Sequence, residues 1–512
     1  MNTHRCLSRG YLFLLGILVM AMATAPANAF GRRKRPNILW ICIEDTVPLM
    51  SCYGEGINHT PNIDRLAQNG VRFANAFTPH PVGSPARSAI ITGIYATTVG
   101  THNHPSSRTI EDAIFLPDEV KTVPELFREA GYFTFNAGKD DYNFIYDRSK
   151  LYSGRKEMHY WYTLAGNIED TWRNPDRAEG QPFFGQIQLK GGKHTLQQHT
   201  DAYHEALPLE ERIDREKVKI PPYYPDHPII REDWARHYDS VRITDKEVGA
   251  ILAQLEEDDL LDNTIVFFFS DHGYKGTRHK HFLYDSGIRV PLLVMWKGND
   301  RKIKPMTVRE DMVSLLDVSA TTLALAGIKI PKHMDGEDLF ARGYKKRPYI
   351  IAARDRCDFT IDRIRSVRTE QYKYIRNFMT DRPLMQPNYR DTRAEFVIQK
   401  ELLEQGKLDK VQKQFWSEER PMEELYDLSK DPHEINNVVK KAEYHEILVK
   451  MRRTLQNWIE ATDDQGQYPE DIEGLRFMTS RWGGRCINPE YQQVWDNPMP
   501  GTPEVDITKE SP

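Results

Sequence analysis

Cysteine is scarce, with five in 512 residues, and no two form a C-x-x-C pair. This excludes a disulfide-built scaffold and gives no support to a zinc or thiol-redox centre. A surplus of positive charge is also missing: 69 Lys and Arg stand against 74 Asp and Glu, for a net charge of −5. A nucleic-acid binder would carry a basic domain or stripe, and the one basic run, GRRKR at 31–35, reads as a solvated terminus. Internal repeats and low-complexity tracts are absent too.

What is present begins with a processing segment. His4, Arg5 and Arg9 precede an apolar run over 11–25, which is followed by Ala27-Asn28-Ala29. The order matches a secretory signal spanning 1–29 and cleaved after Ala29. The run is shorter than the about 20 residues that cross a bilayer, so the expected product is secreted or periplasmic, without a membrane span. Export permits disulfides, yet Cys42 lies inside an apolar strand pattern and reads as a buried free thiol.

The remaining chain has a globular composition, 39% hydrophobic and 28% charged, and is long enough for two domains. Residues 37–43 (NILWICI) and 264–270 (TIVFFFS) are continuous apolar runs of the kind seen in parallel strands covered on both faces. Further strands are expected over 132–137, 181–189 and 290–296, with helices over 61–70, 122–130, 232–257 and 313–326. Strands alternating with helices predict an α/β domain over 36–340 with a mostly parallel mixed sheet sandwiched by helices. Beyond it, 349–354 and 364–378 read as antiparallel strands and 444–462 as a helix packed on them. These form a smaller C-terminal antiparallel-sheet domain over 345–505, and 379–420 is expected to be an irregular surface excursion.

In open α/β sheets, ligands bind beyond the carboxyl ends of the strands. Two apolar strands end in Glu44-Asp45 and Asp271-His272. Acidic residues often end strands simply because loops are polar, but three carboxylates and an imidazole on one rim suit a divalent cation. Between them lies PVGSPARSAIITG, residues 81–93. Ser84-Pro85 predicts a helix start with Ser84 as N-cap, Gly93 a left-handed C-cap, and Arg87 a cation in the first turn. A helix N-terminus is an anion site, and the residue facing that anion is Gly83.

This stretch resembles the signature of the formylglycine-dependent sulfatases of the alkaline phosphatase superfamily, C-x-P-x-R or S-x-P-x-R leading into a helix that ends T-G. Pro85, Arg87, Thr92 and Gly93 match. In that family the first position is oxidised to formylglycine, whose hydrated aldehyde attacks sulfur; here it is Gly83, with no side chain to oxidise. The resemblance implies metal ligands at Glu44, Asp45, Asp271 and His272. Calcium is the first choice, with Mn²⁺ or Mg²⁺ as alternatives. Gly138-Lys139 resembles the family element G-K-x-H, with Asp141 where histidine usually sits. Lys280, ahead of Leu283-Tyr284-Asp285, would hold sulfate oxygens and assist the leaving group, and His194 is a looser match to a mid-domain histidine. The run EELYDLSKDPHEINN at 423–437 matches the family's C-terminal element.

The resemblance implies a hydrolase of sulfate esters or sulfamates on carbohydrate. Gly83 leaves two alternatives beside it: a catalytically inactive homologue that binds sulfated glycans, or a phospho- or sulfo-ester hydrolase using metal-bound hydroxide. Ser84 is a possible hydroxyl, but its expected cap role accounts for it. Tyr160, Trp161, Tyr162 and Trp172 are candidates for lining a sugar cleft, and core packing accounts for them equally well. His102 and His104 read as loop residues.

Overall fold

The segment NILWICI folds as β1, Asn37–Ile43, with every residue buried. Its side chains alternate between the two faces of a sheet, as strand geometry requires. Ile38, Trp40 and Cys42 join one apolar core, and Leu39, Ile41 and Ile43 join another on the opposite face. The structure is a computed structural model describing residues 34–106, 111–154, 161–162 and 170–497. The expected signal segment and Tyr160 lie outside the described residues.

Seven more strands complete the large sheet: β2 (Gly70–Phe77), β3 (Phe133–Ala137), β4 (Phe183–Leu189), β5 (Thr264–Ser270), β6 (Arg289–Val290), β7 (Leu292–Met295) and β8 (Thr307–Ser314). The order is β3-β4-β1-β5-β7-β2-β6, with β8 also on β2. The run β3-β4-β1-β5 is parallel, while β7 is antiparallel to both β5 and β2. Helices cover the sheet: α1 (Pro61–Gln68), α2 (Gly83–Thr92), α3 (Val123–Glu129), α4 (Pro228–Glu257) and α5 (Leu316–Leu325). Sequence patterning missed β2 and β8. The latter overlaps the helix expected over 313–326 only at Val313 and Ser314, and its outer half alternates exposed and half-buried residues, so it lacks a continuous apolar run.

A second sheet of order β12-β11-β10-β9 follows, built from β9 (Ile350–Arg354), β10 (Ile364–Arg368), β11 (Tyr372–Asn377) and β12 (Glu423–Asp427). All its pairings are antiparallel. Residues 379–420 are not the irregular excursion expected. They contain α6 (Ala394–Glu404) and a short helix, Lys410–Gln414. Helix α7 (His445–Ala461) packs Leu448, Met451, Leu455 and Trp458 against Val367, Tyr374 and Leu425 of this sheet. Both sheets lie in one compact unit that starts at Pro36.

The run at 423–437 joins the two sheets. Asp431 Oδ2 accepts from the Ile435 and Asn436 amides at 2.9 and 2.7 Å. That loop presents the Glu434 carboxylate to the Asp285 amide at 2.7 Å and to Lys373 at 3.3 Å. Burial pushes the Glu434 carboxyl up to about 7, with Lys373 pulling the other way and Asp285 adding to the rise. An acid whose folded pKa exceeds its unfolded value binds its proton more tightly when folded. Its contribution to stability is therefore present below about 4.5 and lost as pH rises through about 7. Urea midpoints of the natural chain should fall from pH 5 to 7 more steeply than those of Glu434→Gln; equal slopes would contradict this reading.

Candidate active site

Four adjacent parallel strands, β3, β4, β1 and β5, end at one rim. Ile43 pairs with Leu189 on one side and Ser270 on the other, so Glu44-Asp45 emerge between Gly191-Gly192-Lys193 and Asp271-His272. One strand further out, Ala137 leads into Lys139 and Asp141. The two glycines are required by a close approach. A Cβ on Gly191 or Gly192 would meet the Glu44 or Asp45 carbonyl oxygen at 2.4 or 2.3 Å, and the Gly192 amide donates to Glu44 O at 2.8 Å.

Helix α2 points its N-terminus at the same rim. It starts at Gly83, with Val82 as an extended N-cap that makes no side-chain bond, and closes on Gly93 at φ 70. The expectation that Ser84 caps the helix is therefore corrected. Pro85 lies in the first turn without being its first residue, which the missing N–H tolerates. The Ser84 hydroxyl instead lies 2.5 Å from His104 Nδ1, and His104 Nε2 is 3.6 Å from Asp358. His104 is thus a partner of the helix start, not the plain loop residue its sequence suggested.

Charged groups close the rim. Glu44 Oε1 accepts from Lys139 Nζ at 2.8 Å and Arg87 Nη2 at 3.1 Å. Asp45 Oδ1 accepts from Lys280 at 3.1 Å, and Lys193 Nζ lies 3.5 Å from Glu44 and 3.6 Å from Asp45. Arg87 also reaches Asp271 Oδ2 at 3.1 Å and Gln188 at 2.7 Å, so its guanidinium braces carboxylates. Burial alone would raise the Glu44 and Asp45 carboxyls, yet Lys139, Lys193, Arg87 and Lys280 hold them well below the usual carboxylate range. Burial likewise works against the Lys280 ammonium, but Asp45, Tyr389 and Glu44 lift it above its ordinary value.

Sequence reasoning selected His194 where the structure brings in Lys193. Residues 191–195 form a 3-10 turn, whose three residues per turn send neighbouring side chains about 120° apart. Lys193 faces the carboxylates, while His194 Nε2 lies 3.5 Å from Glu247 on α4. The signal for Lys193 was its place directly after a Gly-Gly pair that ends a buried strand. Tyr162 and Trp172 are buried in the core on one face of the sheet. Burial pushes the Cys42 thiol up to about 12, so no thiolate is available beside Arg87.

Three carboxylates and one imidazole are donors that a divalent cation accepts. His272 Nδ1 donates to the Gly273 carbonyl at 2.9 Å, and burial lowers the ring's pKa. Its bare Nε2 therefore faces Asp45 Oδ1 at 3.4 Å and Asp271 Oδ1 at 3.7 Å. A lone pair aimed at two carboxylate oxygens would be satisfied by a cation among them, and the bond from Nδ1 to a carbonyl is the usual support of a metal-binding imidazole. Lys193 and Lys280 hold Asp45 meanwhile, and among the described residues no three acidic, His or Cys groups are close enough to hold an ion.

Strand ends lined with paired ammonium and carboxylate groups thus face the N-terminus of α2. The sulfatase family model matches residues 36–328, and the model for the C-terminal part of N-sulphoglucosamine sulphohydrolase matches 271–418. An ulvan-active sulfatase of Formosa agariphila is 31% identical over 500 residues, covering 89% of this chain and 79% of that one. N-acetylgalactosamine-6-sulfatase of Canis lupus familiaris is 28% identical over 370 residues, covering 63% of this chain and 68% of its own. A solved protein in complex with its substrate D-glucosamine-2-N,6-O-disulfate has the same fold, with a TM-score of 0.56 and 20% identity over 84% of this chain and 99% of that one. The chain belongs to the sulfatase family.

Replacing Lys193 with Ala should weaken binding of a sulfated saccharide about tenfold, the scale of one charge-assisted hydrogen bond. His194→Ala should leave it within about twofold. Isothermal titration of both variants checks this, and the reverse ranking would return His194 to the site.

Proposed function

We propose that the protein is a secreted hydrolase of sulfate esters or sulfamates on carbohydrate. The observation that carries this reading is the convergence of Lys139, Lys193 and Lys280 on buried carboxylates at the mouth of α2, beside Gly83. Arg87 fixes Glu44 and Asp271 in place, and the three lysines take the oxygens of the sulfate group. Lys280 donates a proton to the departing sugar oxygen. Glu44, Asp45, Asp271 and His272 would hold a divalent cation, calcium first with Mn²⁺ or Mg²⁺ as alternatives; such an ion supplies positive charge to the sulfate oxygens.

Gly83 closes the covalent route through residue 83, and this favours a second reading in which the protein binds sulfated glycans without cleaving them. Position 83 can nevertheless carry a side chain. A Cβ there would meet its nearest neighbours at 3.4, 3.7 and 3.9 Å, ordinary van der Waals contacts.

The natural chain should release sulfate from a panel of 4-nitrophenyl sulfate and sulfated mono- and oligosaccharides. Gly83→Cys matured by a formylglycine-generating enzyme should exceed it by about a hundredfold, the scale of adding one effective catalytic group. Equal rates would contradict the placement of residue 83 at sulfur, and tight binding with no release by the natural chain would favour the receptor reading. Calcium should raise the melting temperature over that in a chelator, by several degrees at saturating ion, and Asp271→Asn should remove the rise. An unchanged melting temperature would contradict the cation site.

A further inference from the structure

Asp141 is the one carboxylate of the cluster that the roles above leave unused. It is 5% exposed and has a left-handed backbone with φ 55, a conformation unfavourable for a residue other than glycine. Its Oδ2 is the nearest atom to the point where a side chain at Gly83 would begin, 3.4 Å away. Lys139 Nζ follows at 3.7 Å and Asp271 Oδ2 at 3.9 Å. Lys139 bridges Asp141 Oδ2 at 3.0 Å and Glu44 Oε1 at 2.8 Å. The missing side chain therefore leaves a methyl-sized space walled by a carboxylate and an ammonium group, at the N-terminus of α2 and beside the lysines that take the anion.

We propose that Asp141 is the general base of a direct hydrolysis, in which a water admitted beside Gly83 attacks sulfur. The inference rests on the sulfate-ester reading above. The Asp141 carboxylate takes one proton from the water as its oxygen bonds to sulfur. The bond between sulfur and the bridging oxygen breaks, and that oxygen leaves with the electron pair and takes a proton from Lys280. The products are the alcohol and hydrogen sulfate, and proton exchange with solvent restores Asp141 and Lys280. Glycine at 83 and aspartate at 141 thus work as a pair: the first makes the space, the second activates what enters it.

The test uses the full chain and a sulfated saccharide that it cleaves. Asp141→Asn, isosteric but unable to accept the proton, should lower kcat about a hundredfold, leave KM within about threefold and remove the acidic limb of the kcat–pH profile. Asp141→Gly suits the left-handed backbone, so it should fold, and added formate should restore part of its rate; a residue that only supports structure would show no such rescue. Gly83→Ala should cost about tenfold or more by filling the space. The assignment is overturned by an Asp141→Asn chain as fast as the natural one, by Asp141→Gly that formate does not revive, by an unaffected Gly83→Ala, or by a sulfo-aspartyl adduct trapped at residue 141. A natural chain that cleaves no sulfated carbohydrate overturns the hydrolase reading as well; a cleaving chain indifferent to Asp141 overturns this assignment alone.

Discussion

The structure depends on keeping four carboxylates and four cations buried together at the ends of four neighbouring strands. Glu44, Asp45, Asp141 and Asp271 face Arg87, Lys139, Lys193 and Lys280, and each of these cations lies within 3.6 Å of at least one of the carboxylates. Charges removed from water cost several kcal/mol each unless they are paired and hydrogen-bonded. Few local geometries meet that demand, and the backbone shows it. Asp45 and Asp141 adopt positive φ, while Gly191 and Gly192 let the turn after β4 press on the Glu44-Asp45 backbone. In the proposed function the same pairing would leave the lysines desolvated and oriented before an anion arrives.

The second sheet supports that arrangement from outside. Arg390 donates to the carbonyls of Lys275 and Lys280 at 2.7 and 3.0 Å, and Lys373 donates to the Leu283 carbonyl at 2.8 Å. Together with Glu434 on the Asp285 amide, these bonds hold the 275–285 segment, which carries Lys280, from the C-terminal side. The antiparallel sheet is thus part of the site's scaffold, and the matched run at 423–437 acts as a clamp on the 275–285 segment.

The α/β sheet was legible because β1 and β5 are buried on both faces, and uninterrupted apolar runs as short as NILWICI and TIVFFFS suit little besides a strand covered on both sides. The acidic pairs were legible because they end those runs. β2 and β8 were not, since Arg72 and Asn75 in one and Arg309, Glu310 and Asp311 in the other break the apolar pattern. Lys193 was missed by one position because the side-chain directions in a 3-10 turn depend on its register. The Ser84–His104 contact joins residues twenty apart, and no local pattern encodes it. Asp141 was visible as a departure from the family element, but its closeness to Gly83 exists only in three dimensions.

The central claim is that this charge cluster is a sulfate receptor opening beside Gly83. Selenate shares the shape and charge of sulfate and scatters anomalously, so a crystal grown with it would show where the anion rests. The account predicts an anomalous peak beside Gly83, within hydrogen-bond reach of Lys139, Lys193 and Lys280. A well-occupied peak found only elsewhere would contradict it, for instance in the cavity of about 350 Å³ lined by His102, Arg363, Phe378 and Glu470.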